Sequence, residues 1–220
     1  ALPISPFLFN IFIDELLTDL GNSELGVCIG PYRFNSVAYA DDITLMSATV
    51  TGLQNLIDMC VQYSMKWRFK FNPVKTKCFI SGKHRFNNEP KWLIGGNVIE
   101  VTNEFYILGS TFSQDGKGRA HVERWINSCR RNYYRLGRVG MVYQGLDTNT
   151  KRYLWNTMCL PTLLYGTECV NICSPSLKQM ESLQGCLIKQ CLGLGKRHRH
   201  SNLLKALGVK SVESLISERS

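Results

Sequence analysis

Apolar positions in the first part of the chain follow two rhythms. Behind Ser5-Pro6, residues 7–17 are apolar nearly all round: Phe7, Leu8, Phe9, Ile11, Phe12, Ile13, Leu16 and Leu17. Serine caps a helix well and proline loses no hydrogen bond at the first helical position, so a helix starts here and Gly21 stops it. A helix apolar on all sides is expected to be deeply packed, with Asn10 as its polar exception. Residues 26–30 read as a short strand ended by Pro31. Two strand-like runs, Val37-Ala38-Tyr39-Ala40 and Ile43-Thr44-Leu45-Met46, then flank Asp41-Asp42. Two such runs around two residues predict a β-hairpin with a tight turn and a carboxylate pair at its tip.

Helical spacing returns at Leu53, Leu56, Ile57, Cys60, Val61, Ser64 and Trp67, predicting a helix over residues 51–69 that Pro73 cannot continue. A strand is expected over 75–81, a polar loop over 84–90, and a hairpin over 91–101 turning at Gly95-Gly96-Asn97. Residues 105–112 read as one strand, with Gly109 marking a bulge or a close backbone approach. The character changes near residues 116–118. Beyond it Val122, Ile126, Cys129, Tyr133 and Leu136 form an apolar helical stripe, and Arg124, Arg131, Arg135 and Arg138 follow a different face. Further helices are expected over 148–164, bent at Pro161, and from Ser174-Pro175 onward. A basic loop over 196–200 precedes a last amphipathic stretch. The class is α+β, with strands concentrated in residues 1–116 and an all-helical region over 117–220.

Composition sharpens this picture. The chain has 220 residues, 44% hydrophobic and 20% charged, the profile of a folded globular protein. Its net charge of +9 is uneven: residues 1–62 hold one basic residue, Arg33, against seven acids, so the remainder is strongly basic. An acidic part followed by a basic part suits a metal-using protein that grips a polyanion, although ordinary basic surfaces also give such a balance. Nine cysteines, an odd number, lie scattered through apolar runs and read as buried thiols of a reducing compartment rather than a disulfide framework. Cys169, Cys173, Cys186 and Cys191 with His198 and His200 lack the usual zinc spacing. The chain opens on Ala1 with no signal peptide, and its first apolar stretch is too short to span a bilayer. A piece of a longer protein with no membrane role is therefore expected.

Adjacent carboxylates need a reason. Two of them about 4 Å apart repel by about 4 kcal/mol at an effective dielectric of 20, and a cation beside them removes that cost. Successive residues of an extended chain point to opposite sides, so Asp41 and Asp42 do not play equal parts. A plain hairpin with polar tips is the alternative.

Four blocks in order, Pro3-Ile4-Ser5-Pro6-Phe7-Leu8-Phe9-Asn10, Tyr39-Ala40-Asp41-Asp42, Asn72-Pro73-Val74-Lys75-Thr76 and Tyr106-Ile107-Leu108-Gly109, resemble the reverse transcriptase of non-LTR (LINE-type) retrotransposons. Leu164-Tyr165-Gly166-Thr167-Glu168 and Gly208-Val209-Lys210-Ser211 resemble that family's segment beyond the palm. The resemblance implies a partial polymerase palm with primer-grip strands over 1–116 and a thumb-like region over 117–220. It implies RNA-templated extension of a DNA 3′ end, with an RNA template, a DNA primer and deoxynucleoside triphosphates as partners. Two Mg2+ (or Mn2+) per complete active site are implied, with Asp41 a direct ligand and Asp42 a weaker one. Tyr39 and Ala40 would lie by the primer end, Ser5, Pro6 and Asn10 under the template and incoming base, Lys75 near the pyrophosphate, and Leu108 and Gly109 against the primer. The arginine face would follow the duplex backbone, unless it is simply a solvated surface. The family's other palm aspartate and its fingers would precede residue 1, so the 220 residues alone are expected to be inactive. The alternatives are a catalytically dead, retrotransposon-derived nucleic-acid-binding remnant and a metal-dependent nuclease; the want of a nearby Glu, His or third Asp motif speaks against the second. Family location would be intracellular, in nucleus and cytoplasm.

Overall fold

The computed structural model describes residues 5–82, 90–142, 145–195 and 197–219, with Ser5 and Pro6 by backbone alone. Residues 84–89 of the expected polar loop lie outside the described residues, as do Pro3 and Ile4. The chain divides into two compact units, Ala1–Asn103 and Glu104–Ser220. No helix among the described residues is long and apolar enough to cross a membrane.

The first unit runs α1 (Ser5–Asn22), β1 (Val27–Ile29), β2 (Tyr32–Phe34), β3 (Ser36–Tyr39), β4 (Asp42–Leu45), α2 (Val50–Lys66), β5 (Lys77–Phe79), β6 (Leu93–Ile94), β7 (Asn97–Val98) and β8 (Glu100–Thr102). Three antiparallel hairpins, β1–β2, β3–β4 and β6–β7, join one parallel pair, β5–β8. Most expected elements are present, with three differences: α1 runs through Gly21 to Asn22, the second arm of the expected 91–101 hairpin divides into β7 and a β8 that pairs with β5 instead, and β2 is an addition, Pro31 ending β1 by sitting in the turn that folds β2 back onto it. Ile13, Leu16 and Leu20 of α1 are buried with Leu56, Cys60 and Tyr63 of α2, and Ile43 and Leu45 of β4 pack against them. Phe12, Tyr63, Trp67 and Phe69 add edge-on and tilted aromatic contacts at centroid distances of 5.5–6.2 Å. A second cluster gathers Ile57, Cys78, Trp92, Ile94 and Ile99. Trp92 Nε1 donates to Val50 O at 3.0 Å. The side-chain amide of Gln54 donates to Leu93 O and accepts from Leu93 N, both at 2.9 Å.

One expectation for this unit is corrected. The front of α1 is not deeply packed: Phe7, Leu8 and Ile11 are each more than half exposed, and Asn10 is exposed as well. Burial begins where α1 meets α2 and β3, in its second half. All-round apolarity does not say which side of a helix has a neighbour.

The second unit runs β9 (Glu104–Ile107), β10 (Ser110–Ser113), α3 (Arg119–Leu136), a 3₁₀ turn (Gly137–Val139), α4 (Thr148–Leu154), a π-turn (Trp155–Cys159), α5 (Leu160–Leu164), α6 (Ser174–Cys191), α7 (His200–Leu207) and α8 (Val212–Ser217). Val122, Ile126, Cys129 and Tyr133 of the α3 stripe meet Trp155, Cys159, Leu163, Met180, Leu187 and Val212 in one core. Pro161 acts one turn before itself. It has no N–H to offer Thr157 O, and the preceding turn widens so that Leu160 N–H bonds Trp155 O. Gln184, fully buried on α6, donates to Lys210 O at 3.0 Å and accepts from Val212 N at 3.2 Å, tying down the start of α8.

Residues 105–112 are not one strand. They form the β9–β10 hairpin, with Ile107 opposite Ser110 and Leu108-Gly109 as its two-residue loop. Leu108 takes φ +47° and Gly109 φ +79°, the paired positive values that a tight hairpin turn of this twist requires. This hairpin packs on α3 and falls within the second compact unit, which begins at Glu104.

Candidate active site

The β3–β4 hairpin carries the carboxylate pair. Its register puts Ser36 opposite Leu45, Ala38 opposite Ile43 and Tyr39 opposite Asp42, which leaves Ala40-Asp41 as the loop. Ala40 takes φ +50°, a left-handed conformation costly for any residue with a Cβ. Asp41 therefore sits in the loop itself, Asp42 begins β4, and Tyr39 ends β3; all three side chains are exposed. The base of the hairpin is pinned. Asn35 is buried, its side-chain amide nitrogen donates to Leu20 O and, at 3.3 Å, to Ser23 Oγ, and its backbone carbonyl accepts from Met46 N at 2.8 Å. Asn35 thus fixes the hairpin to the end of α1. The sequence reading passes over it, and its one signal was a lone amide between two strand runs.

The other first-unit candidates are less tightly arranged. Lys75 is exposed in a turn shaped by Asn72, whose Oδ1 accepts from Val74 N at 3.0 Å and Lys75 N at 3.3 Å. Asn10 lies exposed on α1. Ser5 and Pro6 open α1 as expected, and their side chains lie outside the described residues.

In the second unit the Leu108-Gly109 loop is held from behind. Tyr165 Oη donates to Leu108 O at 2.7 Å, and a Cβ on Gly109 would come within 3.4 Å of the Tyr165 ring. Gly109 therefore marks neither a bulge nor a close backbone approach but a turn, where it serves the positive φ. His121, fully buried near the start of α3, was not among the expected residues. Its Nδ1 accepts from Thr111 N at 3.3 Å and from Trp125 Nε1 at 3.1 Å, and its Nε2 lies 3.1 Å from Tyr165 O. Burial holds its pKa below the ordinary 6.5, against the bond to Tyr165 O, which favours the charged ring.

All four candidate arginines are exposed. Arg124, Arg131 and Arg135 share one side of α3, and Arg138 lies in the 3₁₀ turn after it. Arg124 is partly committed to its own unit: its guanidinium stacks over Tyr106 at 5.0 Å and reaches Thr111 Oγ1 at 3.4 Å.

The donor set at the first hairpin suits a hard divalent cation. Neither Asp41 nor Asp42 has a side-chain hydrogen-bond or ion-pair partner among the described residues, so two adjacent carboxylates stand without a protein counter-charge. Exposed carboxylate oxygens are what Mg2+ takes, with water and phosphate oxygens filling its other positions. Among the described residues no group of three or more His, Cys, Asp or Glu side chains is placed to hold a metal. The cysteines divide: Cys60, Cys78, Cys129, Cys159 and Cys191 are buried, but Cys28, Cys169 and Cys186 are exposed, contrary to the expectation of uniformly buried thiols.

Comparison with known proteins adds to this geometry. The family described as "Reverse transcriptase (RNA-dependent DNA polymerase)" matches residues 2–112. The chain is similar to the retrovirus-related Pol polyprotein from type-1 retrotransposable element R2 of Popillia japonica, 28% identical over 192 residues, covering 82% of this chain and 30% of that protein. It is also similar to the Pol polyprotein from type-2 element R2DM of Drosophila melanogaster, 33% identical over 132 residues, covering 54% of this chain and 12% of that protein. Similarity to the RNA-directed DNA polymerase from mobile element jockey of D. melanogaster is 21% over 194 residues, covering 86% of this chain and 21% of that protein. The chain spans less than a third of the length of each of these relatives.

Proposed function

This chain belongs to the reverse transcriptase family, of the non-LTR retrotransposon kind, and from that premise we propose that it forms part of the palm and thumb of an enzyme that extends a DNA 3′ end on an RNA template. The observation that carries this reading is the Ala40-Asp41 loop with Asp42 beside it: two carboxylates with no cationic side chain paired to them among the described residues, held up on a strained tip whose base Asn35 anchors. In this reading Asp41 and, more weakly, Asp42 hold divalent cations. Such cations would lower the cost of ionising the primer 3′ hydroxyl and neutralise the triphosphate. Tyr39 and Ala40 line the primer end, and Ser5, Pro6 and Asn10 support the template and incoming base. Lys75, a flexible cation on a loop, meets the departing pyrophosphate. Leu108 and Gly109 position the primer. Arg131 and Arg135, with Arg138 and the part-committed Arg124, contact duplex phosphates, which gives sequence-independent, salt-dependent affinity.

Two carboxylates leave most of the octahedral positions of Mg2+ to water and substrate, so the 220 residues by themselves are expected to bind metal weakly and not to extend a primer. The test titrates Mn2+ into the 15N-labelled chain. Broadening centred on the amides of residues 40–43, lost in Asp41→Asn, supports the reading; broadening that ignores the substitution refutes it. Binding of an RNA–DNA duplex that weakens steeply with salt, without any metal response at Asp41, favours the nucleic-acid-binding remnant instead.

A further inference from the structure

The hydrogen bonds of His121 leave it one protonation state. Thr111 N–H and Trp125 Nε1–H both point at Nδ1, and both groups are donors only. Nδ1 must therefore present its lone pair. Nε2 then carries the single proton and donates it to Tyr165 O. The ring so joins three segments: β10 through Thr111, its own helix through Trp125, and the turn after α5 through Tyr165. The same turn reaches back to the hairpin, because Tyr165 Oη bonds Leu108 O at 2.7 Å. Trp125 meets Tyr165 at a tilt, ring centroids 5.0 Å apart, and His121 edge-on at 5.7 Å, closing the ring of contacts. Gly166, at φ +67°, lets the backbone pass close: a Cβ there would stand 2.4 Å from Ser110 Oγ and 3.3 Å from His121 Cε1. Leu108 itself sits at φ +47°, a conformation a leucine keeps only when its surroundings enforce it.

We propose that His121 is a positioning residue for the Leu108-Gly109 tip: as a neutral, Nε2-protonated imidazole it clamps Tyr165, and Tyr165 in turn holds the Leu108 carbonyl and the left-handed turn in place. The consequence for the primer strand rests on the reading of that tip given above. The clamp has a built-in condition. A second proton on Nδ1 would set three N–H groups against one point, so the charged ring keeps neither the Thr111 nor the Trp125 bond. Arg124 on α3 opposes that protonation, Glu168 after the Tyr165 turn favours it, and β10 brings no titratable side chain to the ring. Burial outweighs both charges, and the folded ring therefore titrates below 6.5. The sign follows: the clamp is complete above the unfolded-state value and is lost as pH falls through the lower, folded one.

The experiment uses the 220-residue chain, 15N-labelled. Histidine ring spectra at pH 7.5 are expected to show His121 as a single species with a lone-pair Nδ1 and a protonated Nε2. On acidification the Leu108 and Gly109 amides and the Trp125 indole N–H are expected to shift in step with His121, which tests the wild-type chain without any substitution. His121→Phe is expected to shift the same amides at pH 7.5 and to weaken binding of an RNA–DNA primer–template, read by fluorescence anisotropy, about fivefold, as for the loss of roughly one hydrogen bond. His121→Gln, which keeps an N–H near the Nε2 position, recovers most of that loss. Mixed tautomers titrating at the ordinary value, or tip amides that stay still in both the titration and His121→Phe, overturn the proposal. Tip amides that move while duplex binding does not change uphold the positioning role and remove the primer-contact reading of Leu108-Gly109.

Discussion

Replacing Ala40 by glycine removes the Cβ that its backbone conformation disfavours. At φ +50° an alanine carries a left-handed penalty of about 1–2 kcal/mol. Glycine escapes it but gains unfolded-state freedom that costs about 0.4–1 kcal/mol. Ala40 is exposed, so no packing is lost. The net expectation is a first unit about 0.5 kcal/mol more stable, roughly 2–4 °C in midpoint for a unit of about a hundred residues. Ala40→Val goes the other way, since a β-branched side chain tolerates a positive φ worse than alanine, and is expected to cost about 1–2 kcal/mol more. Urea unfolding followed through Trp67 and Trp92, both in the first unit, reads the pair of variants. The slope is expected to stay constant while the midpoint moves in opposite directions. A destabilised Ala40→Gly, or an Ala40→Val indistinguishable from the native chain, would refute the claim that the carboxylate-bearing tip is held under backbone strain.

Gln184→Leu leaves Lys210 O and Val212 N without their buried partner and is expected to cost about 2–4 kcal/mol, seen as a lower urea midpoint for the second unit by Trp125 and Trp155 fluorescence. Thiol labelling of the native chain at pH 7.5 is expected to reach Cys173 fastest, because hydrogen bonds from Ser176 and Arg119 hold its thiol below the usual value. The exposed Cys28, Cys169 and Cys186 follow, while Cys60, pushed up to about 12 by burial, and Cys78, pushed up to about 11, wait for unfolding. Mass mapping of the labelled peptides checks the order.

The β3–β4 hairpin was legible as two strand-like runs around a carboxylate pair, but its register was not: the runs put Asp41-Asp42 in the loop, whereas Tyr39 pairs with Asp42 and the chain turns one residue earlier, at Ala40-Asp41. The strain at Ala40 was not legible, since alanine carries no signature of a left-handed turn. Residues 105–112 were misread for a related reason. Phe105-Tyr106-Ile107 before the loop and Thr111-Phe112 after it are strand formers, leucine is not a turn former, and Gly109 was the one mark of a reversal. Helix α1 shows a different limit. Periodicity reports which residues avoid water, and a segment with no polar face cannot tell where its neighbours lie. His121 was hidden among the arginines of α3; its spacing of four from Trp125, both facing the hairpin, was the signal it left. Asn35 and His121 share a property. Each is a buried polar side chain that joins segments distant in sequence, and such bonds are set by tertiary placement rather than by local pattern.

The Gln54 amide covers a strand edge at Leu93. The outward N–H and C=O of Leu93 are the kind of open strand edge onto which another chain can add a strand. Here both are already occupied by one side-chain amide, in the manner of a missing neighbouring strand. That edge of a short hairpin, which would otherwise offer itself for intermolecular pairing, is closed off from within its own unit by a single residue on a helix.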